Sequence, residues 1–599
     1  MHYAFNILLL FSEGSDLLKV FGNLKKKDRL FLAACVVLIV AQVWLELKMP
    51  DYTAKLTEAV SAGSIIKTEI RKNGAMMLLC AFACMLAAIV TGWLSSIIAA
   101  DLGKILRTKL FDKVLSFSDK EMNFFTVPSL ITRTTNDVTQ MQMLISLGMH
   151  TLIKAPLLAV WAILKISSAS VAWTGAMLVT VVVILVTLGV VIWVCYPRFK
   201  RIQTLTDALN KVTRENISGV RVVRAFNAED YQKKKFDETN SAVTQNNLFT
   251  ARTMGVMSPI MTMCVNGLTL AIYWIGAVLM NNAALPAERV AVIGNMTAFS
   301  QYAAQVVLAF MMIVVILILL PRAAVSAKRI NEVLETEPSV TYPAQETGTC
   351  ARGEIEFHNV SFAYPSAPSP CLENLSFHIR PGETFAVIGA TGAGKTSLIN
   401  LMARFFDCTE GEILLDGENI KKYSKPELEK RISLAPQKAI LFKGDIKSNV
   451  TYGAEGEIAD DDERPLRALE IARADFVDQQ EEGVHASVAQ GGTNFSGGQK
   501  QRLSIARAVY KDANIVILDD TFSALDYRTD MLVRRALREK MRGTTVVIVA
   551  QRIGTVRDAD QILVLDEGRA VGLGRHEELL RSCSVYREIA LSQLSKEEL

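Results

Sequence analysis

The sequence predicts two domains in one chain: an α-helical membrane domain of six transmembrane helices with long cytosolic extensions, followed by a soluble α/β domain. Three observations predict this order. A chain of 599 residues is too long for a single compact core. The mean hydropathy of +0.25 is high for a soluble protein. Long apolar runs are confined to the part before residue 340, and the remainder has the composition of an ordinary soluble domain.

The membrane domain is predicted from apolar stretches that are long enough to cross a bilayer. About 20 mainly apolar residues span about 30 Å of hydrocarbon. Six stretches meet that length: 29–50, 75–99, 141–166, 172–195, 257–280 and 299–320. The connections over 101–140 and 196–256 are long and polar with helical periodicity, whereas the third and fourth stretches are joined by a short turn near 167–170.

Basic residues predict the orientation in the membrane. The two long connections are rich in lysine and arginine, namely Lys104, Arg107, Lys109, Lys113, Lys120, Arg133, Arg198, Lys200, Arg201, Lys211, Arg214, Arg221, Arg224 and Lys233 to Lys235. The positive-inside rule therefore places both connections and both termini in the cytosol. Lys67, Arg71 and Lys72 in the first outer loop oppose this orientation, but the two long connections outweigh them.

These features set the predicted limits of the domains. Residues 1–28 form an N-terminal segment that we interpret as an interfacial helix, since it lacks the basic start and cleavage site of a signal peptide. The membrane domain covers 29–325, a linker covers 326–352, and the α/β domain covers 353–599. The chain is thus expected to be a multi-pass protein of the cytoplasmic membrane.

Lys154 lies inside the third apolar stretch, and two explanations stay open. A charge within a membrane span is costly and can mark a cavity or a substrate contact. Alternatively, this helix continues below the bilayer, and Lys154 snorkels or pairs near the cytosolic face. We favour the second explanation.

Composition excludes some classes of function. The formal net charge of +4 is small for this length and does not suggest a nucleic-acid partner. The nine cysteines form no CxxC pair, so the sequence predicts neither a zinc site nor a disulfide framework.

A phosphate-binding motif begins the functional part of the α/β domain. An apolar strand, a glycine-rich turn and a helix follow one another in the P-loop pattern, with candidate ATP-binding residues Gly389, Ala390, Thr391, Gly392, Ala393, Gly394, Lys395, Thr396 and Ser397. Backbone N–H groups of such a turn surround phosphates at a helix N-terminus. Lys395 is expected to reach the β- and γ-phosphates, and Thr396 is expected to ligate Mg²⁺.

A second strand, IVILD, is expected to deliver a carboxylate to the same site. Residues 515–518 are apolar and Asp519 and Asp520 follow them. A buried strand that ends in an acid supplies the metal contact that phosphoryl transfer requires. We predict Asp519 as a Mg²⁺ ligand, directly or through water.

The run FSGGQKQRLSIARAVY resembles the signature motif of ATP-binding-cassette (ABC) proteins, with Ser496, Gly497, Gly498 and Gln499 at its centre and Phe495 in place of the usual leucine. Further elements of that family match in order. Tyr364 resembles the aromatic residue that stacks on adenine, and Gln437 resembles the Q-loop glutamine that contacts Mg²⁺ and links nucleotide to membrane domain. Asp526 resembles the D-loop aspartate.

The resemblance extends over nearly the whole chain. PSLITRTTNDV and ENISGVRVVRAFNAEDY are similar to the two intracellular loops of B-type multidrug exporters, whose tips form coupling helices. The resemblance implies a nucleotide-binding domain with a helical subdomain and with ATP and Mg²⁺ as cofactors. It also implies export by alternating access across the lipid bilayer of a bacterial cell. Two alternatives stay open. Importers usually keep the two domains on separate chains, and an ATP-gated channel or regulator uses the same scaffold without pumping.

Two positions depart from the family pattern where water is activated. The residue after Asp519 is usually a glutamate but is Asp520 here, and a misplacement of about 1 Å can cost about 10²-fold in rate. The switch histidine is replaced by Gln551, which cannot exchange a proton near neutral pH. Gln490 likewise replaces a usual glutamate. We interpret the site as one that binds ATP but hydrolyses it slowly.

The family's dimer geometry makes these departures informative. Each ATP is held between one chain's P-loop and the other chain's signature motif. An intact signature beside a poor hydrolysis site resembles the degenerate subunit of a heterodimeric bacterial exporter, whose homologous partner carries the glutamate and the histidine. A homodimer with slow hydrolysis is the alternative.

The substrate class is only loosely constrained by the sequence. Large apolar side chains in the spans could line an adaptable cavity for a hydrophobic drug, lipid or lipopeptide, namely Met257, Met261, Met263, Trp274, Tyr302, Phe310, Met311 and Met312. Helix packing is the alternative for each one. The short segment before the first span also argues against the N-terminal protease domain of peptide-processing exporters.

Overall fold

A computed structural model describes residues 15–61, 67–167, 171–283, 285–365, 367–453 and 462–594. The chain divides into two compact units. The first comprises Met1–Val114 with Pro128–Thr336, and the second comprises Leu115–Val127 with Glu337–Leu599. The boundary therefore lies within the stretch predicted as a linker, and residues 326–335 of that stretch are helical.

Besides a short helix at residues 15–22, nine helices cover the described part of the chain before residue 336. They are α1 (Lys26–Ser61), α2 (Lys67–Leu115), α3 (Asp119–Phe125), α4 (Val127–Ser167), α5 (Val171–Ser218), α6 (Val220–Ala225), α7 (Glu229–Gly255), α8 (Met257–Asn282) and α9 (Pro286–Glu335). Each of the six predicted spans lies inside a long helix, so the prediction of six transmembrane helices is confirmed. The turn near 167–170 lies mostly outside the described residues.

The long helices extend beyond the apolar stretches that predicted them. The connection 101–140 continues α2, forms the short helix α3 and then opens α4. The connection 196–256 continues α5, turns through α6 and returns as α7. Within α4, wider π-helical turns occupy Arg133–Asp137 and Leu144–Gly148.

The N-terminal segment is described only in part. Residues 1–14 lie outside the described residues, and 15–22 are helical. Asn331 of α9 donates a side-chain hydrogen bond to the Asp16 carbonyl at 3.0 Å, and Lys19 pairs with Glu335 at 2.7 Å. The described residues of the segment thus contact the end of α9.

Lys154 is paired in the structure. Its Nζ lies 2.9 Å from Glu46 Oε2 of α1, and the two side chains are 13% and 19% exposed. The angle of this contact does not fit a hydrogen bond, so the attraction is one of charge. The structure therefore shows a partner for Lys154, and its position near the cytosolic face stays a prediction.

The second unit is built on a mainly parallel sheet and a smaller antiparallel one. The sheet orders are β12-β11-β3-β10-β9-β6 and β2-β1-β4-β5, with β7 and β8 paired separately. The strands are β1 (Ile355–Phe362), β2 (Leu372–Ile379), β3 (Thr384–Gly389), β4 (Glu410–Leu415), β5 (Glu418–Asn419), β6 (Ile432–Ala435), β7 (Gly444–Asp445), β8 (Ser487–Val488), β9 (Ile515–Asp519), β10 (Thr545–Val549), β11 (Gln561–Asp566) and β12 (Arg569–Gly574).

Helices flank these sheets. They are α10 (Lys395–Met402), α11 (Lys425–Arg431), α12 (Ile446–Val450), α13 (Glu463–Ile471), α14 (Gly497–Tyr510), α15 (Tyr527–Lys540), α16 (Ile553–Val556), α17 (His576–Ser582) and α18 (Ser584–Gln593), with 3₁₀ turns at Ile420–Lys422, Gly483–His485 and Gln490–Gly492. The expected α/β architecture is confirmed.

The central strands are apolar on both faces because each face covers a core. Along β3, Phe385 and Val387 pack into one buried cluster, whereas Ala386 and Ile388 pack into the other. Continuous apolar strands are what a parallel sheet buried on both sides requires. The carboxyl ends of β3, β9 and β10 meet at one edge, where Val549 pairs in register with Val387 and Asp519. The functional residues follow these ends.

Candidate nucleotide site

The P-loop leaves the end of β3 and enters α10. A Cβ atom on Gly389 would lie 2.2 Å from the Leu565 carbonyl oxygen, so no larger residue fits at this position. Gly394 has φ 97°, a left-handed conformation that favours glycine, and caps α10 directly before Lys395. The loop therefore has the strand–turn–helix form that the motif predicts.

Lys395 folds back over this loop. Its Nζ donates to the carbonyl oxygens of Gly389 at 2.7 Å and Ala390 at 2.8 Å, and the residue is 8% exposed. Burial lowers the pKa of Lys395, and the charges of Asp520 and Asp519 oppose that shift. The ammonium thus lies between the P-loop and the end of β9, where phosphate charge is expected.

The other P-loop positions differ in exposure. Thr391 and Thr396 are exposed, and Ala393 is buried with its N–H donating to the Ala390 carbonyl at 3.2 Å. Ser397 is buried, and its hydroxyl lies 3.0 Å from the hydroxyl of Tyr364.

Tyr364 is supported by two phenylalanines. Its ring packs edge-on against Phe362 at 4.9 Å and Phe406 at 5.3 Å between ring centres. Together with the hydroxyl contact to Ser397, these neighbours fix the predicted adenine-stacking residue beside the P-loop helix.

Asp519 ends β9 and Asp520 follows it, and each is 7% exposed. Burial, followed by the neighbouring charge of Asp520, raises the pKa of Asp519 to about 6, and Lys395 partly offsets the rise. Asp519 offers a buried carboxylate at the end of β9 and Thr396 offers an exposed hydroxyl at the start of α10, and oxygen donors of this kind are those that Mg²⁺ prefers. The residues present therefore fit this metal.

Asp520 is held by the side chains of two glutamines. Gln437 Nε2 donates to Asp520 Oδ2 at 3.2 Å, and Gln551 Nε2 donates to the same oxygen at 3.1 Å. Asp520 has φ 46°, and its N–H donates to the Val549 carbonyl at 3.0 Å. The structure thus joins the two departures from the family pattern, Asp520 and Gln551, to the Q-loop residue. Because the Gln437 amide nitrogen points at Asp520, its Oε1 is the atom that could ligate a metal.

The signature residues lie at the N-terminus of α14. Ser496 Oγ accepts from the Gln499 N–H at 3.3 Å, and Gln499 Oε1 accepts from the Ser496 N–H at 2.8 Å. Ser496 and Gly497 are exposed. A Cβ atom on Gly498 would lie 3.1 Å from the Ala524 carbonyl oxygen, so the signature packs closely on the D-loop. The start of the motif is therefore accessible at the N-terminus of α14.

The D-loop residue Asp526 caps the following helix. Its carboxylate accepts from the Thr529 N–H at 2.9 Å and from the Thr529 hydroxyl at 2.6 Å. Gln490, the third departure, is exposed.

Sequence reasoning missed Gln501. This residue of α14 is 4% exposed, and its Nε2 donates to the Gln437 carbonyl oxygen at 2.6 Å. The sequence pattern predicts that a polar residue within a helix lies on the surface. Only the burial of Gln501 in the structure reveals its contact with Gln437.

The first predicted coupling loop contributes a segment to the second unit. Glu121 of α3 accepts hydrogen bonds from the Ser118 hydroxyl at 2.6 Å and the Ser339 N–H at 3.3 Å. Next to this segment is a cavity of about 580 Å³, lined in part by Phe117, Arg404 and Pro436. Pro436 precedes the Q-loop residue Gln437, so the segment lies beside the loop that reaches the nucleotide site.

The second predicted coupling loop has an exposed tip. Helix α6 has no buried residue, and Val222 and Phe226 at this tip are 61% and 79% exposed.

Comparison with known proteins gives consistent results. Residues 32–310 match the family described as ABC transporter transmembrane region, and residues 372–523 match the family described as ABC transporter. An uncharacterized ABC transporter ATP-binding protein of Mycobacterium tuberculosis is 36% identical over 568 residues, which are 94% of this chain and 96% of that protein. A probable multidrug resistance ABC transporter ATP-binding/permease protein of Bacillus subtilis is 32% identical over 81% of this chain and 82% of that protein.

One solved structure has the same fold over nearly the whole length. It is a bacterial Atm1-family ABC exporter with ATP bound, and it covers 95% of this chain and 99% of its own chain with a TM-score of 0.78. The two sequences are 21% identical, so this likeness concerns the fold alone.

Proposed function

The chain belongs to the ABC transporter family, and we propose that it is an exporter subunit whose own site binds ATP but hydrolyses it slowly. The observation that carries this proposal is the pair of glutamine amides on the single carboxylate of Asp520. Family membership implies an ATP-binding domain and a membrane-embedded dimer. The slow site and the subunit's role in the dimer are the proposal.

The roles of the site residues follow from their positions. Lys395 and the P-loop amides from Gly389 to Ser397 would bind the phosphates of ATP, and Tyr364 would stack on adenine. Thr396, Gln437 and Asp519 would hold Mg²⁺, in part through water. The bound metal would neutralise phosphate charge.

Asp520 is poorly placed to activate water. In a hydrolysing site, a glutamate carboxylate must accept a hydrogen bond from the attacking water, and the aspartate is one methylene shorter. Here one of its oxygens already accepts hydrogen bonds from two amide groups, so that oxygen is less available to accept one from the attacking water. Gln551 can donate a hydrogen bond but cannot shuttle a proton near neutral pH.

An intact signature gives this chain a second role. Ser496, Gly497, Gly498 and Gln499 would complete the ATP site of a homologous partner that carries the glutamate and the histidine, and Asp526 would lie at the interface. We therefore propose a heterodimer in the cytoplasmic membrane with both nucleotide-binding domains in the cytosol.

Export of a hydrophobic or amphipathic molecule is the proposed transport activity. Fusion of the two domains, at proposed limits of 29–325 and 353–599, is the arrangement of exporters. The Bacillus subtilis relative is named as a probable multidrug resistance transporter. Drugs, lipids and lipopeptides remain the candidate substrates.

The test compares two substitutions in the transporter purified from its host through a tag on this chain, so that any natural partner is retained. Asp520→Asn keeps an acceptor oxygen for the glutamines and should leave at least half of the ATPase activity. Ser496→Arg places bulk and positive charge against the partner's ATP and should remove more than nine-tenths of it. If Asp520→Asn abolishes ATPase turnover and Ser496→Arg leaves it intact, the roles proposed for these two residues are reversed.

The composition of the purified complex separates the remaining alternatives. A homologous second subunit is expected, whereas vigorous ATPase activity from this chain alone would show a homodimer. An ATP-gated channel or regulator would move substrate only down its gradient, so ATP-dependent accumulation in vesicles against a gradient is expected for a pump.

A further inference from the structure

The buried side chain of Gln501 joins the Q-loop to the signature helix through a partly buried hydrogen bond. Its Nε2 lies 2.6 Å from the Gln437 carbonyl oxygen. Because a carbonyl oxygen only accepts, the amide nitrogen must face it. The Gln501 Oε1 atom has no hydrogen-bond partner among the residues that the structure describes. The side chain thus makes one strong bond from an otherwise enclosed position.

This bond continues a chain of contacts that starts at the nucleotide site. Gln551 and Gln437 both donate to Asp520, and the Gln437 backbone then accepts from Gln501. Gln501 lies five positions after Ser496, about 7.5 Å along the helix. Two successive hydrogen bonds therefore connect the carboxylate of this chain's own site to the helix that carries the signature.

We propose that Gln501 is a positioning residue, which transmits the arrangement of this chain's Asp520 cluster to its signature helix and so sets turnover at the partner's ATP. The inference rests on the proposed function, because it assigns regulation to the slow site. The path needs no hydrolysis by this chain. If the binding of ATP and Mg²⁺ moves Gln437, it would also move the backbone carbonyl of Gln437, to which Gln501 donates.

The expected size of the effect follows from the partial burial of the bond. Gln501→Met keeps the length of the side chain but removes the donor, so the Gln437 carbonyl oxygen loses this partner. Coupling between sites typically changes binding affinities between about 5-fold and 150-fold, and we use that range as the scale for the effect on kcat. We expect a loss of kcat near the lower limit, since the helix N-terminus keeps its own cap.

The experiment uses the same tagged complex with ATP and 8-azido-ATP as probes. Gln501→Met should lower kcat about 5-fold, whereas half-saturation of photolabelling on this chain should stay within about twofold of the unsubstituted complex. Gln479→Met is the matched control, because Gln479 is exposed, and it should change neither value. A purely structural role would instead change both sites together, and unchanged kcat would overturn the proposal.

A double variant tests the path. Combining Gln501→Met with Asp520→Ala should lower kcat no more than the more damaging single change does, since both changes break one path. Additive losses would refute transmission through Asp520.

Failure of this inference is distinct from failure of the proposed function. The assignment of the slow site depends on the result for Asp520→Asn, whatever Gln501 does. If the Asp520→Asn complex is active and the Gln501→Met complex is fully active, the assignment of the slow site stands. The role of Gln501 in transmission to the signature helix is then rejected.

Discussion

Removing the charge of Lys154 should destabilise the membrane domain, because its partner Glu46 would remain enclosed. The two groups are 2.9 Å apart and at most one-fifth exposed, on helices α4 and α1. Lys154→Met keeps the length of the side chain and removes only the ammonium. The perturbation therefore tests the charge contact rather than the packing of the stem.

The expected cost can be worked out from this geometry. Removing one partner of a buried ion pair costs about 3–5 kcal/mol, and a lone charge in a membrane helix costs about 2.5–3.5 kcal/mol. The contact lacks hydrogen-bond geometry, so we expect the lower limit, about 3 kcal/mol. Lys154→Met with Glu46→Gln removes both charges and should restore most of this loss.

Tryptophan fluorescence is a suitable assay, because all six tryptophans lie in the membrane domain: Trp44, Trp93, Trp161, Trp173, Trp193 and Trp274. At a fixed scan rate in detergent, Lys154→Met should lower the apparent Tm by about 5 °C, and the double variant should recover it. Lys104→Met, at an exposed position of α2, is the control and should have little effect. An unchanged Tm for Lys154→Met, or additive losses in the double variant, would refute the pairing and return Lys154 to the role of a cavity residue.

Two further predictions concern the nucleotide site. Lys395→Ala removes the charge above the P-loop and should weaken photolabelling of this chain by 8-azido-ATP several-fold or more; unchanged affinity at this site would contradict the P-loop assignment. Since burial and Asp520 raise the pKa of Asp519 to about 6, Mg²⁺ must displace a proton below that pH, and Mg²⁺-dependent nucleotide binding should strengthen about tenfold from pH 5 to pH 7. Asp520→Asn removes one cause of the raised pKa of Asp519 and should move the pH midpoint of Mg²⁺-dependent nucleotide binding to lower pH. The titration of ATP itself is the same for both proteins and cannot cause this difference. An identical pH midpoint in the two proteins would contradict the prediction.

The six spans and the nucleotide motifs were predictable because each depends on neighbouring residues. An apolar run of 20 residues determines a span wherever it packs. The P-loop likewise depends on one contiguous strand, turn and helix, whereas the close approach of Gly389 to Leu565 of β11 is a contact that only the fold creates. Helix ends were less predictable, and α9 runs to Glu335, because polar residues continue a helix without any apolar signal.

The sequence by itself determined the family, the fold and the two unusual residues of the site, since these are matters of local pattern and residue identity. Only the tertiary structure decided how those residues act together. Gln437, Asp520 and Gln551 are far apart in the chain and meet because the ends of β6, β9 and β10 share one edge of a parallel sheet. Likewise, whether Lys154 faces a cavity or an acid depends on which helix packs beside it, and that is set by contacts between segments about a hundred residues apart.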